Sequence, residues 1–237
     1  MLTRTKLNLS LKLAAILLVA FALKYYYSTA TVNELRWILA PTTFLVELLT
    51  WSNFTFESHA GYMSADRTFL IAAPCAGVNF LIIAFLMLAV GKLWREWPNS
   101  FQWHSVPLAA VTAYAAAILA NTTRITVALQ MRGLDLPFDF EEAHRIEGIV
   151  VYFGFLLLLF LASEFGIERR LYMRRALLPL LIYYAITLGI PFAGGAYRNT
   201  GFWQHAFVVF VTSTVVMLPF VVVRFATRRD FRSVPSA

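Results

Sequence analysis

Residues 73–95 read APCAGVNFLIIAFLMLAVGKLWR, and this stretch decides the fold. Every residue from Phe80 to Val90 is apolar, and the run ends in the basic residues Lys92 and Arg95. A helix needs about 20 mostly apolar residues to cross a bilayer, and basic residues accumulate on the cytoplasmic side of such helices. The stretch therefore predicts a membrane-spanning helix with its carboxyl end in the cytoplasm.

The composition extends this prediction to the whole chain of 237 residues. Hydrophobic residues make up 59% of it and charged residues only 14%, which is far from the balance of soluble domains. The predicted fold class is all-α, a polytopic transmembrane helical bundle of about six to eight spans, in one integral-membrane domain, 1–237. The net charge of +7 comes from basic residues beside apolar runs. No basic groove with interleaved aromatics is visible, so we expect no nucleic-acid partner.

Six segments are long enough to cross a bilayer, and a seventh is not. The six are 8–27, 74–93, 106–129, 147–163, 176–192 and 204–224. Segment 37–51 is shorter, contains Pro41 and Glu47, and is bounded by Trp37 and Trp51, which suit a membrane interface. We interpret it as re-entrant or interfacial.

The basic residues predict the orientation, with the amino terminus in the cytoplasm. Four basic groups then fall on one side of the membrane: Arg4, Lys6 and Lys12; Lys92 and Arg95; Arg169, Arg170, Arg174 and Arg175; and Arg224, Arg228, Arg229 and Arg232. The apolar run before Ser28-Thr29-Ala30 also has the features of a signal peptide. Its length and the tyrosines at 25–27 favour a retained anchor.

The only cysteine, Cys75, lies at the predicted outer end of the second span. Pro74 suits the first turn of a helix, where backbone N–H groups and the helix dipole favour a thiolate. Gly77 allows close approach of another group, and Asn79 would share the helix face of Cys75 and donate to an oxyanion. The alternative is a small packing residue, since free cysteines are often buried. A single cysteine excludes an internal disulfide.

Two further residues are predicted on the same outer side. Arg124 lies in the apolar run after Asn121, where burying a guanidinium requires a partner or a polar cavity; the alternative is an arginine that reaches the headgroups. His144 opens the next span, with Gly148 one turn later, and a histidine there can act as general acid and base. The alternative is an ordinary interfacial histidine. We expect no comparable setting for His59, His104 and His205.

The motifs Cys75-Ala76-Gly77, Asn121-Thr122-Thr123-Arg124-Ile125 and His144 followed by Gly148 resemble those of the exosortase/archaeosortase family in order and topology. The resemblance covers roughly residues 70–165, the core of the domain, and is to compact single-domain members such as exosortase K. It implies a membrane-embedded cysteine protease/transpeptidase with Cys75 as nucleophile, Arg124 as transition-state stabiliser and His144 as general acid/base. The family is often drawn with eight spans, more than the segments found here.

The same resemblance implies the partners. They are surface or secreted proteins with a carboxy-terminal signal made of a recognition motif, one transmembrane helix and a basic cluster, processed at the inner membrane with the active site on the extracytoplasmic face. No cofactor is expected. A metal is not expected either, because Glu141, Glu142 and His144 lack the His-Glu-x-x-His spacing of zinc proteases and only loosely resemble a Glu-Glu-x-x-x-Arg pattern.

Two other classes remain open on the sequence alone. A non-catalytic transport or scaffold protein would not need the thiol of Cys75, and internal repeats or paired broken helices typical of many transporters are not obvious. A membrane acyltransferase with a cysteine thioester would carry a lipid, not a peptide, on Cys75.

Overall fold

The computed structural model describes residues 2–95, 102–132, 140–164 and 177–226. Helices dominate these ranges. They are α1 (Leu2–Thr29), α2 (Arg36–Thr50), α3 (Val78–Arg95), α4 (Ser105–Met131), α5 (Phe140–Ser163), α6 (Leu178–Tyr184), α7 (Ile190–Ala193) and α8 (Thr200–Ala226). A π-helical turn, Ala185–Gly189, joins α6 to α7 without a break.

Helix α3 is the centre of the bundle. It packs against α1, α4, α5 and α6, and nearly every apolar side chain from Phe80 to Ala89 is buried. By contrast, α1, α4 and α8 expose large apolar side chains such as Leu18, Val111 and Phe207. A helix that is apolar all round belongs in the interior, whereas apolar side chains exposed on the outer helices suit contact with lipid tails.

In the described part of the chain, five helical segments are long and apolar enough to cross a membrane: Leu9–Thr29, Ala73–Arg95, Ser105–Met131, Glu142–Ser163 and Thr200–Pro219. They match five of the six predicted spans within a few residues. The counterpart of the sixth, 176–192, is the shorter apolar helix Leu178–Ala193. Its 16 residues measure about 24 Å, less than the roughly 30 Å of a bilayer core.

The segment predicted as re-entrant or interfacial forms α2, whose 15 residues give a helix of about 22 Å, too short to span. Its inner face, including Ile38, Leu39 and Val46, is buried, and it packs along α4. The hydroxyl of Tyr114 on α4 donates a hydrogen bond of 2.6 Å to the carbonyl of Trp37. At the other end, Trp51 is 90% exposed.

A small antiparallel sheet follows α2, and the sequence analysis did not predict it. Its strands are β1 (Phe54–Glu57), β2 (Gly61–Ser64) and β3 (Leu70–Ile71), in the order β1-β2-β3. Phe56 lies opposite Tyr62, with ring centroids 5.0 Å apart. Gly61 has φ +135°, and a Cβ there would collide with the carbonyl oxygen of Ile71. The sheet thus brings the chain back to the bundle just before Cys75.

Several predictions fall outside the described residues. These are the basic groups at 169–175 and 228–232 and the greater part of the loop between Arg132 and Phe140. The side chains of Arg4, Lys6, Glu141 and Arg224 are also outside the description.

Candidate functional site

Cys75 lies on a 3₁₀ turn, Ala73–Ala76, that precedes α3. Its backbone N–H donates to the carbonyl of Ala72 at 2.8 Å, and the residue is partly exposed. Gly77, with φ +68°, ends the turn in the left-handed conformation that glycine adopts without strain. The expected single helix from Pro74 onward is therefore wrong, because the turn at Gly77 separates Cys75 from α3.

This break changes the position of Asn79. The sequence predicts Asn79 on the helix face of Cys75, but a helical face does not continue through Gly77. Asn79 lies on the first turn of α3, and its Oδ1 accepts a hydrogen bond of 2.7 Å from Lys24 Nζ on α1. Asn79 thus ties α1 to the start of α3.

Asn121 on α4 contacts the turn that carries Cys75. It is fully buried, and its Nδ2 donates a hydrogen bond to the carbonyl oxygen of Cys75. A Cβ at Gly77 would come within 3.2 Å of Asn121 Cγ, so Gly77 is required for the close approach of the turn to α4. The amide also accepts at Oδ1 from the hydroxyl of Tyr152, at 2.8 Å.

Arg124 and His144 are in direct contact. Arg124 Nη2 lies 2.7 Å from His144 Nε2, and Nη1 donates to the hydroxyl of Tyr152 at 3.4 Å. The guanidinium also lies 5.5 Å from the centre of the Tyr152 ring. A Cβ at Gly148 would be 3.0 Å from Arg124 Nε, so this glycine gives the arginine its place between α4 and α5.

The contact with Arg124 defines the tautomer of His144. A guanidinium has only donors, so Nε2 must accept and the ring proton must lie on Nδ1. On that side, Glu147 Oε2 is 3.3 Å from Nδ1 and 4.0 Å from Arg124 Nε. Glu147 is 8% exposed, and a buried carboxylate requires a compensating charge, which the Arg124 guanidinium supplies.

A cavity of about 260 Å³ adjoins these groups. Pro74 and Gly77, on either side of Cys75, line it together with Arg124, His144 and Tyr152. No hydrogen bond joins the sulfur of Cys75 to another residue within the described ranges. Arg124 and His144 thus line one cavity together with the two residues that flank Cys75, while Cys75 itself is not among the lining residues.

Several residues of the site were not predicted from the sequence. Glu147 could have been identified from the sequence, since an acidic residue three positions after His144 lies on the same helix face. The ring of Tyr152 stacks on Phe80 at 5.2 Å. Nothing in the sequence marks Tyr152 as a site residue, because tyrosine is common in apolar helices. His205 was expected to have no comparable setting, but it lines the cavity from α8, and Tyr27 lines it from α1.

Comparison with models of protein families, with curated proteins and with solved structures found no match.

Proposed function

We propose that the chain is a membrane-embedded cysteine protease/transpeptidase of the exosortase type, with Cys75 as nucleophile. One observation supports this most: a continuous set of contacts runs from the Cys75 carbonyl through Asn121 and Tyr152 to Arg124 and His144. Cys75 lies on a turn before α3, Arg124 on α4 and His144 on α5, so these contacts bring together the three residues named by the motifs.

The first step is deprotonation of the thiol. His144 Nε2 accepts the proton of Cys75, and Glu147 stabilises the resulting imidazolium through Nδ1–H. In the present arrangement Arg124 occupies Nε2, so the arginine must turn away before the proton moves. The carbonyl oxygen of a bound substrate supplies a reason for that turn, because it can accept a hydrogen bond from the guanidinium before the thiolate attacks.

Acylation of Cys75 is the second step. The thiolate of Cys75 forms a bond to the peptide carbonyl carbon, and the carbonyl π electrons move to the oxygen, where Arg124 stabilises the oxyanion. The oxyanion then reforms the carbonyl while the C–N bond breaks, and His144 gives its proton to the leaving amine. An amine or water next attacks the thioester carbon and gives a proton to His144, the C–S bond breaks, and His144 returns the proton to the Cys75 thiolate.

The substrate class in this proposal is a protein with a carboxy-terminal motif, one transmembrane helix and a basic cluster. The apolar outer surface of the bundle suits contact with such a helix within the bilayer. The cavity, on this topology at the outer side of the membrane, would receive the peptide that precedes the helix. Release by water and transfer to an amine both use the same residues.

The direct test is a trapped intermediate. The chain is co-expressed with reporter proteins that carry such a tail, with the segment before the helix randomised, and Cys75 is examined by mass spectrometry. We expect a peptide thioester on Cys75 that hydroxylamine releases, and a shortened reporter that is absent with Cys75→Ala. Reporter processing that persists with Cys75→Ala, or a fatty acyl group on Cys75, would overturn the proposal.

Alkylation of the single thiol provides a test without substrate. Iodoacetamide reacts with thiolate, and a nearby cation favours that form. We expect Arg124→Gln to lower the alkylation rate at pH 7 by about tenfold, equal to about 1.4 kcal/mol of lost stabilisation. Arg132→Gln is the matched control, because Arg132 ends the same helix but bonds to Thr68 at 3.1 Å. Equal rates in all three proteins would make Cys75 a packing residue.

A further inference from the structure

A second cavity, of about 300 Å³, lies between α3, α4 and α5. It is formed by the end of α3, the start of α4 and the end of α5, so it is at the opposite end of the bundle from Cys75. The 18 residues of α3 separate the two ends by about 27 Å. The site proposed for catalysis therefore does not include this cavity.

The charged residues of the cavity favour an anion. Among the residues that the structure describes, the lining carries two basic side chains, Lys92 and Arg95, and one acidic side chain, Glu164. Arg95 Nη1 donates to the carbonyl of Ser163 at 2.6 Å and lies 3.7 Å from Glu164 Oε1. Within the described residues, Nη2 and Nε of Arg95 make no hydrogen bond, so these donors are left for a ligand.

Ser105 supplies a second, independent observation. It lines the cavity, is 2% exposed, and its hydroxyl has no hydrogen-bond partner among the described residues. A buried hydroxyl without a partner carries a desolvation cost that a ligand oxygen would remove. Since Ser105 is the first residue of α4, the positive end of that helix dipole also favours a negative ligand.

The remaining walls are apolar and reach the outer surface. Leu88, Leu108 and Leu159 line the cavity, and Leu108 is 58% exposed beside Val111, which is 65% exposed. A small inorganic anion would gain nothing from these walls. A phosphate attached to acyl chains would fit both the polar donors and the apolar walls of the cavity, because its chains would lie on the apolar surface of α4.

We propose that this cavity binds the phosphate of an anionic glycerophospholipid. Arg95 and Ser105 donate to the phosphate oxygens, Lys92 adds positive charge, and the acyl chains lie along Leu108. The proposal does not depend on the chemistry at Cys75. Such a lipid would hold the ends of α3, α4 and α5 together on the side that the basic residues assign to the cytoplasm.

The test uses the full chain in detergent and native mass spectrometry. The protein is titrated with phosphatidylglycerol or with phosphatidylcholine of the same acyl chains. We expect one phosphatidylglycerol to bind about tenfold more tightly, and millimolar inorganic phosphate not to displace it. Arg95→Gln should lower its affinity about tenfold, and Ser105→Ala about fivefold, which corresponds to about 1 kcal/mol for one lost hydrogen bond.

Lys12→Gln is the matched control, since Lys12 is a basic residue assigned to the same side that does not line the cavity. It should bind phosphatidylglycerol as the wild type does. The proposal fails if Lys12→Gln weakens binding as much as Arg95→Gln, if phosphatidylcholine binds equally well, or if inorganic phosphate displaces the lipid. Should Arg95→Gln not fold, unchanged lipid affinity in Ser105→Ala overturns it.

Discussion

Replacement of Glu147 should show whether this residue positions His144 for catalysis or only contributes to the packing of α5. Its carboxylate is 3.3 Å from His144 Nδ1, so it favours the tautomer that leaves Nε2 as the base. We expect Glu147→Gln to lower the rate of reporter processing by about 10²–10⁴-fold, the usual contribution of general acid–base catalysis. The dependence of the rate on pH should also change, because the amide does not stabilise the imidazolium as a carboxylate does.

The control for Glu147 lies on the same helix. Glu142 is exposed, and Glu142→Gln removes the same charge near the same end of α5. Its processing rate and pH profile should remain those of the wild type. If Glu147→Gln were slower only in proportion to the amount of folded protein, with an unchanged pH profile, its role would be structural.

Gly148 offers a test in which stability and activity change in opposite directions. Alanine is about 1 kcal/mol more favourable than glycine inside a helix. Its Cβ, however, would be 3.0 Å from Arg124 Nε and would force the guanidinium away from His144. We expect Gly148→Ala to fold with equal or higher thermal stability and to process the reporter about tenfold more slowly, which corresponds to about 1.4 kcal/mol.

Gly154 provides the comparison, because a Cβ there meets nothing within 4 Å. Gly154→Ala should raise the melting temperature and leave reporter processing unchanged. An equal loss of activity in Gly154→Ala would mean that α5 as a whole tolerates no added methyl group. In that case the displacement of Arg124 would not explain the result.

The sequence indicates charged site residues better than neutral ones. Arg124 and His144 could be singled out because a charged or titratable side chain in an apolar helix needs a partner. The same reasoning applies to Glu147. It does not extend to Tyr152 or to the Asn121 contact with the Cys75 carbonyl, since both depend on how α3, α4 and α5 pack.

At the scale of elements, length and hydropathy predicted the long helices, and local conformation was harder. Five of the six predicted segments form helices long and apolar enough to span, because apolar runs of this length favour a continuous helix. The helix expected from Pro74 became a 3₁₀ turn because Gly77 adopts a positive φ. The strands around Phe56 and Tyr62 were missed because four-residue strands give too short an alternation to recognise.

Asp66 makes the turn between β2 and β3 sensitive to acid. Its carboxylate accepts hydrogen bonds from the hydroxyls of Ser64 and Thr68 and from the Thr68 N–H, and these hold the pKa of Asp66 down, at about 2. The folded pKa is thus below the ordinary value of 3.8. The turn is fully stabilised above pH 4, and we expect this stabilisation to be lost as the pH falls from about 4 to 2.

Hydrogen exchange at the Thr68 amide measures this effect. After correction for the intrinsic rate, the protection of the amide should decrease between pH 4 and pH 2 in the wild type. Asp66→Asn should show lower protection at pH 5 and no step in that range. The explanation is wrong if Asp66→Asn retains the same step, since Asp66 would not then be the titrating group.

For the whole molecule, the order of the helices accounts for the meeting of distant residues. Cys75 precedes α3, Arg124 lies in the second half of α4, and His144 lies in the first turns of α5. Because consecutive helices run in opposite directions, these positions come to the same end of the bundle, and Lys92, Arg95 and Ser105 come to the other. The separation of a thiol-bearing end from a basic end follows from chain direction alone.

This separation makes the orientation directly measurable, because Cys75 is the only thiol. If the basic end faces the cytoplasm, a membrane-impermeant methanethiosulfonate reagent should label Cys75 in bacterial spheroplasts that express the intact chain. The matched control combines Cys75→Ala with Gln102→Cys, which places an exposed residue just before α4. That thiol should react only after the membrane is permeabilised. Labelling of Gln102→Cys in intact spheroplasts, with Cys75 reacting only after lysis, would reverse the topology and place the proposed catalytic site in the cytoplasm.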